Sequence, residues 1–260
     1  MSHRDFPIQL AARGRYHFTT EQATWELCIS PTAARAALRR LRDHGAIATP
    51  FRGFHVVVPP EYRALSCLPP EQFVPQLMDH LGVPYYAGLL SAARYHGAAH
   101  QQPQAFQVVV PTNRERIDCG QVHVAFAARS NAEEMPTVSF NTPRGQVAVS
   151  TPEATAYDLV GYERHCGGLG NVATLLSDLS EALDPQQLVQ VAPLSPLPWT
   201  QRLGFLLELV GTGDHWHPLH DYVAEQATGT TPLSPARDAA GVPRDPRWKL
   251  LVNDEVEPEG

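Results

Sequence analysis

The chain has 260 residues, of which 43% are hydrophobic and 18% charged, and its formal net charge is -7. This composition is typical of a folded globular protein and excludes a chain that is disordered throughout. The chain has no apolar run long enough to span a membrane and no apolar core of a signal peptide near its amino terminus, so we expect a cytoplasmic protein.

Positive charge is concentrated in the first quarter of the chain. Residues 1–66 contain nine arginines and five acidic residues, a net charge of +4 in a chain whose total is -7. Such asymmetry predicts a basic nucleic-acid-binding module attached to an acidic body with another task.

The predicted elements of this basic segment follow one another closely. A short helix near residues 5–13 precedes a helix at 20–26 that Thr20 is expected to cap. The second helix of the helix-turn-helix pair is expected to begin at Ser30, with Pro31 in its first turn, and to end at Gly45. Two β-rich runs, 46–49 and 54–58, flank a turn at 50–53 and predict a hairpin. This order resembles a winged helix-turn-helix, which we assign to residues 1–65.

The second helix has two different faces. At helical spacing Ala34, Ala37, Leu38 and Leu41 share one arc. The opposite side carries Arg35, Arg39 and Arg42, joined by Thr32 and Ala36, and Arg40 lies on the flank. The basic face suits the major groove of DNA, with Arg35 and Arg39 nearest base edges and the other arginines on phosphates. The alternative is a solvated amphipathic helix. The predicted DNA-binding residues are Ser30, Thr32, Arg35, Ala36, Arg39, Arg40, Arg42 and Arg52.

The rest of the chain, residues 66–260, predicts a larger mixed α/β domain. Prolines between residues 59 and 70 mark a short linker. Beyond it, strands are expected near 106–111, 122–125, 138–140, 147–149 and 248–252, and helices near 71–81, 85–97, 154–162, 169–183, 185–192 and 199–209. Ser150 or Thr151 is expected to cap the helix at 154–162. The fold class is therefore α+β.

Enzymatic sites find little support in the sequence. His215, His217 and His220 have no recognised zinc spacing, and we expect Pro218 to interrupt their helix. The glycine-rich run at 167–171 lacks the lysine of a phosphate-binding loop. The four cysteines are far apart and form no CxxC pair. We therefore expect a protein that is not an enzyme and has no catalytic residue, cofactor or metal.

Several motifs together resemble a known family. They are PPE at 59–61, YYAGLLSAARYHGAAHQQPQAFQVVV at 85–110, TPRGQVAVSTPEATAYDLV at 142–160, GGLGNV at 167–172, QRLGFLLE at 201–208 and WKLLVN at 248–253. This succession resembles the AbiEi family, the antitoxins of type IV toxin–antitoxin systems in abortive infection, a form of phage defence.

The resemblance implies a function as well as a fold. It implies a winged-helix domain that binds double-stranded DNA at the operon's own promoter and represses it. It also implies a carboxy-terminal domain that counters a nucleotidyltransferase-like toxin, without forming a stable complex with it. Two alternatives stay open: a solitary ligand-sensing transcriptional regulator, and an enzyme that the basic module delivers to nucleic acid.

Overall fold

The computed structural model describes residues 4–98, 103–211 and 214–257. These residues fall into two compact units, the first within 1–86, 104–132 and 139–148 and the second within 87–103, 133–138 and 149–260. Both contain helices and strands, so the predicted α+β class is confirmed. Within the described residues, no helix is long and apolar enough to cross a bilayer.

The helices are short to medium in length and are numbered in chain order. They are α1 Phe6–Ala12, α2 Thr20–Leu27, α3 Pro31–Asp43, α4 Val74–Leu81, α5 Leu89–Tyr95, α6 Pro152–Gly161, α7 Leu169–Leu179, α8 Pro185–Val191, α9 Leu197–Leu209 and α10 His217–Gln226.

The strands form three sheets. They are β1 His17–Thr19, β2 Ile47–Phe51, β3 Phe54–Val57, β4 Tyr86–Ala87, β5 Phe106–Val110, β6 Ile117–Cys119, β7 Val122–Ala128, β8 Thr137–Thr142, β9 Gly145–Ser150, β10 Thr231–Pro232, β11 Arg244–Asp245 and β12 Leu250–Leu251. The sheet orders are β1-β3-β2, β6-β7-β5-β4-β9-β8 and β10-β12-β11. In the largest sheet β5 pairs with β7 in parallel, and β6 pairs with β7 antiparallel.

The amino-terminal segment has the element order α1-β1-α2-α3-β2-β3, which contains the three predicted helices and the predicted hairpin in the expected order and adds β1. Its core contains Phe6 and Leu10 from α1, Leu38 and Leu41 from α3, and Val57 from β3, all less than 10% exposed. Strand β1 was not predicted, because three residues give no recognisable alternation. It pairs antiparallel with β3 and completes a three-stranded sheet.

The first cap differs by one residue from the prediction. Thr19, rather than Thr20, is the N-cap of α2, and its side chain accepts a hydrogen bond from Gln22 N at 3.1 Å. The Gln22 side chain in turn accepts from Thr19 N at 2.8 Å, which completes a capping box. Two adjacent threonines fit the same local pattern, and the reciprocal bond with Gln22 selects the first.

A second apolar cluster spans the predicted linker. Phe54, Val56 and Val58 from the hairpin pack in one cluster with residues that follow the linker, including Leu68 and Leu77. Strands β5, β6 and β7 supply further members of this cluster. The proposed boundary after residue 65 therefore lies inside the first compact unit. Independent folding of residues 66–260 stays a prediction. A truncation at residue 65 would remove the hairpin residues of this cluster and expose the apolar side chains that pack against them.

Arg144 adds polar contacts within the same unit. It lies in the turn between β8 and β9, and its guanidinium group stacks on the ring of Tyr16, 4.0 Å from the centroid. It also donates hydrogen bonds to Gln72 Oε1 and, at 3.3 Å, to Glu61 Oε1. Only 10% of the Arg144 side chain is exposed, so these contacts are largely shielded from water.

The second unit is built around α6. Residues 153–160 of this helix are all buried, and it packs against α5, α7, α8 and α9. Of the two possible caps, the structure selects Thr151, whose hydroxyl accepts from Ala154 N at 3.3 Å. Glu153 instead accepts a hydrogen bond from Asp184 N at 3.1 Å, which leaves its carboxylate paired with the backbone before α8.

The later elements of the second unit depend on two close approaches. A methyl group at Gly204 would lie 2.0 Å from the Trp248 ring, so α9 needs glycine there. Gln201 donates to the backbone carbonyls of Trp248 and Lys249 at 3.2 and 3.0 Å. Helix α10 was not predicted, because Pro218 was taken as an interruption. Instead, Pro218 lies in the first turn of the helix, where no amide donor is needed.

Removing residues 1–65 is expected to expose the apolar surface of the cluster that Leu68 and Leu77 share with the hairpin. We therefore expect the fragment 66–260 to melt at a lower temperature than the full chain and to bind a hydrophobic dye more strongly. Calorimetry and dye fluorescence on both chains measure this. A fragment as stable as the full chain would show that the cluster contributes little.

Replacing Arg144 with alanine is expected to lower the free energy of unfolding by about 2–4 kcal/mol, because a shielded ring contact and charged hydrogen bonds are lost together. Urea titration of the parent and the variant gives this difference. Arg144→Lys is the matched control, which keeps the charge without the planar fork and should lose less. Equal urea midpoints for the parent and R144A would show that the contacts of Arg144 do not stabilise the folded chain.

Candidate nucleic-acid interface

Helix α3 is fixed at both ends by the residues that the sequence indicated. The hydroxyl of Ser30 accepts from Ala33 N at 3.3 Å, and Pro31 occupies the first turn. Beyond the last turn Gly45 has a φ of +67°, and Ala46 N donates to Leu41 O at 2.9 Å. This left-handed glycine ends the helix at low steric cost.

The two faces of α3 are separated as predicted. Ala34, Ala37, Leu38 and Leu41 are buried, and they anchor one face of the helix to the module. The opposite face is open to solvent. Its arginines, Arg35, Arg39, Arg40 and Arg42, are all exposed. Within the part of the chain that the structure describes, none of these four forms an ion pair, so their guanidinium groups are available to an external anion.

The hairpin is short and closely tied to α2. Strands β2 and β3 pair antiparallel around Arg52 and Gly53, and Gly53 has a φ of +81°. Thr20 N, in the first turn of α2, donates to Gly53 O at 2.9 Å. This bond fixes the tip of the wing against the helix-turn-helix and leaves Arg52 exposed. A register shift between Ala48 and Phe51 bends β2 before the tip.

A buried histidine connects the wing with α2. His55 on β3 is 7% exposed, and its ring stacks on that of Phe18 with a centroid distance of 5.3 Å and an angle of 28° between the ring planes. Its Nε2 lies 2.9 Å from Thr20 Oγ1, and its Nδ1 lies 2.9 Å from Thr49 Oγ1. Both ring nitrogens are thus hydrogen-bonded, and the ring joins α2, β2 and β3. Nothing in the run FHVVV distinguishes this residue at the level of sequence.

The environment of His55 favours its neutral form. Burial lowers the pKa of His55 from 6.5 to about 4, and the positive charge of nearby Arg42 adds to the shift. The imidazole therefore stays uncharged near neutral pH. A neutral ring carries one proton, so it donates to one threonine hydroxyl and accepts from the other.

The structure brings the predicted DNA-binding residues into one module. Seven of the eight are exposed, and Ala36 is half-buried. The exposed members are Ser30, Thr32, Arg35, Arg39, Arg40, Arg42 and Arg52. All but Arg52 lie on α3 or at its cap, and Arg52 lies at the wing tip. Their role in binding DNA stays a prediction.

The histidine-rich segment forms no shared site in the structure. His217 and His220 lie on α10, and His220 packs edge-on against Trp248 at a centroid distance of 5.8 Å. Over residues 4–98, 103–211 and 214–257, no group of three or more potential ligands is arranged to hold a metal ion. All four cysteines are free thiols.

Comparison with known proteins gives a family-model match for part of the chain. Residues 86–209 match the family model described as the AbiEi antitoxin C-terminal domain. The AbiEi resemblance is confirmed. The AbiEi match covers just under half of the chain and includes β4 to β9 and α5 to α9. It supports a role in a toxin–antitoxin system, and residues 1–85, with α3 and the wing, lie outside it.

A solved structure shares the fold of nearly the whole chain. The Rv2827c protein from Mycobacterium tuberculosis superposes with a TM-score of 0.66 at 18% sequence identity, over 96% of this chain and 91% of that one. The likeness extends beyond the AbiEi segment to the amino-terminal module. At this identity it concerns the fold alone. A search of curated protein sequences gives no match.

Acidification is expected to destabilise the protein through His55. Because its folded-state pKa lies below the unfolded value, the unfolded chain binds more protons between about pH 6.5 and 4. The stability that His55 contributes is complete above about pH 6.5 and is lost as the pH falls towards 4, by on the order of 2 kcal/mol at about pH 5. Urea titrations at several pH values measure this dependence.

The matched control for this prediction is His55→Gln, which can hydrogen-bond but does not titrate. Its stability should depend less steeply on pH than that of the parent over the same range. Burial also lowers the pKa of His17, so some slope should remain in the variant. Identical slopes for parent and H55Q would show that His55 does not titrate as its surroundings indicate.

Proposed function

We propose that this protein is a DNA-binding antitoxin of a type IV toxin–antitoxin system. In this proposal the winged helix-turn-helix represses the operon's own promoter. The domain that matches AbiEi counteracts a nucleotidyltransferase-like toxin, and the two proteins form no stable complex. The system would act in abortive infection, as a defence against phage, in the cytoplasm.

The unpaired basic face of α3 is the observation that carries the DNA-binding part. A solvated helix normally satisfies some of its charges with neighbouring acids, but Arg35, Arg39 and Arg42 have no such partners in the described chain. Small residues between the arginines, among them Ala36, allow close approach of the helix to a groove floor. The interpretation as a merely solvated face explains the exposure but not the adjoining wing.

Arg52 at the wing tip would give the module a second point of contact with DNA, beside the basic face of α3. The wing tip is tied to α2 by the bond between Thr20 N and Gly53 O, at 2.9 Å. In winged folds of this kind, the second helix of the helix-turn-helix enters the major groove and the wing reaches the backbone or minor groove. Arg35 and Arg39, in the amino-terminal half of α3, would approach base edges. Arg40, Arg42 and Arg52 would neutralise phosphates.

Electrostatics outside the module favours one orientation on DNA. The chain carries a formal net charge of -7 although residues 1–66 are net positive. Phosphate therefore attracts the module and repels the rest of the protein. This asymmetry disfavours non-specific contact of DNA with the acidic part of the chain and favours contact through α3.

The antitoxin part of the proposal is supported by the AbiEi match at residues 86–209. A second candidate function is a solitary regulator that responds to a small ligand. A cavity lined by Phe51 of the wing, by Phe126 of β7 and by the loop at residues 112–115 favours it. A neighbouring gene for a nucleotidyltransferase-like protein would distinguish the two. The two candidates share the same DNA-binding face.

Substitution of α3 arginines is expected to weaken binding to the operator. Arg35→Ala or Arg39→Ala should cost about 1–3 kcal/mol on the protein's own upstream DNA and reduce discrimination against scrambled DNA. Arg52→Ala should weaken binding to both DNAs about equally and lower the salt slope by about one unit. Fluorescence anisotropy titrations at several salt concentrations measure both quantities.

Arg164→Ala is the matched control, because Arg164 is exposed in the second unit and its removal changes the net charge by the same amount. It should leave operator affinity nearly unchanged. If R35A and R39A bind both DNAs as tightly as the parent, α3 is not the recognition helix. Loss of affinity in R164A equal to that in R35A would point to net charge rather than to the helix face.

A further inference from the structure

A cavity lies at the base of the wing, within the first compact unit. Its volume is about 290 Å³, near the lower end of the range typical of small-molecule sites, about 300–1,000 Å³. The wing contributes Phe51, the last residue of β2, and β7 contributes Phe126. Met78, Leu81 and Ile117 complete the apolar lining. Such walls suit a flat apolar group of one or two rings.

The remaining lining of the cavity is polar and comes from one loop. Residues 112–115, Thr-Asn-Arg-Glu, connect β5 with β6 and line the cavity together. A few polar groups on one side of an apolar cavity are the usual arrangement for orienting a ligand. The loop therefore offers a polar end to a molecule whose other end rests among the aromatic side chains.

Arg114 is the polar residue with unused donor capacity. Its Nε is buried and has no hydrogen-bond partner among the described residues. Arg114 also forms no ion pair there, although Glu115 is its neighbour in the chain. Because Nε is covered by protein atoms, an oxyanion in the cavity would be bound by the two terminal nitrogens of Arg114, which can donate two parallel hydrogen bonds to it.

We propose that this cavity binds a small aromatic carboxylate, with its ring between Phe51 and Phe126 and its carboxylate on the guanidinium group of Arg114. The chemistry of the lining selects this class. A neutral aromatic compound leaves the positive charge of Arg114 without a partner, and a simple inorganic anion leaves the apolar walls uncovered. Glu115 lines the same side, so its negative charge opposes the ligand and limits the affinity.

This site goes beyond the proposed function and does not depend on it. Binding of the ligand can be measured on the full chain without DNA, so failure of the ligand site leaves the antitoxin proposal intact and removes support only from the second candidate, the ligand-responsive regulator. Phe51 immediately precedes Arg52 in the chain, so an occupied cavity would place the ligand ring against the residue next to the wing tip.

The test uses 2-naphthoate as the probe and 2-naphthamide as its neutral match. Saturation-transfer NMR and isothermal titration on the full chain should show binding of the acid, and binding at least about tenfold weaker for the amide. Equal binding of acid and amide would overturn the role of Arg114. Absence of binding by the acid would overturn the site.

Variants separate this site from adventitious binding elsewhere on the protein. Arg114→Gln should weaken binding of 2-naphthoate by about tenfold or more, because a charged bidentate contact becomes a neutral one. Glu115→Gln should strengthen it, since the opposing charge is removed. Arg164→Ala, at an exposed position in the second unit, should change nothing. Unchanged affinity in both R114Q and E115Q would overturn the proposal, even if the probe binds.

Discussion

The alternation of side chains along β3 is the constraint on which the first compact unit depends. Val57 faces the core of the helix-turn-helix, and His55 lies beside that core against Phe18. Phe54 and Val56 face the second cluster, with α4 and strands β5 to β7. All four residues of the strand are buried. Because the strand period is two, a shift by one residue would place His55 in the apolar cluster and Val56 against the threonines.

Because β3 is buried on both faces, the wing has an internal strand although its tip lies at the surface. In a free-standing winged helix the hairpin has one solvated face, whereas here the second face of β3 is covered by the apolar cluster that includes Leu68 and Phe73. Movement of the wing would therefore disturb two clusters together. Arg52 at the tip is exposed, and its neighbours Phe51 and Gly53 are half-buried.

Polar contacts strengthen the same arrangement on each side of the strand. His55 links the hydroxyls of Thr20 and Thr49 across the module. Arg144, which lies in the segment that matches the AbiEi domain, stacks on Tyr16 just before β1. The matched segment is thus in direct contact with the amino-terminal module within one compact unit. A variant that damages Arg144 would affect the module without touching α3.

The sequence by itself determined the local features of this protein. Ser30, Pro31 and Gly45 set the limits of α3, and the helical spacing of its arginines set its exposed face, because caps and periodicity depend on neighbours along the chain. The succession of motifs between residues 59 and 253 indicated the resemblance to the AbiEi family. The same local rules could not distinguish Thr19 from Thr20 as the N-cap of α2. They also predicted that Pro218 interrupts a helix, whereas it lies in the first turn of α10.

Only the tertiary structure decided which residues meet across the chain. Nothing near His55 in sequence shows that Thr20 and Thr49 flank its ring, and nothing near Arg144 indicates Tyr16, since these partners are far apart in sequence. The prolines of the linker marked a local break, but the apolar residues after it share a core with the hairpin before it. Long-range burial, which no local pattern encodes, joined those segments and formed the cavity beside the wing.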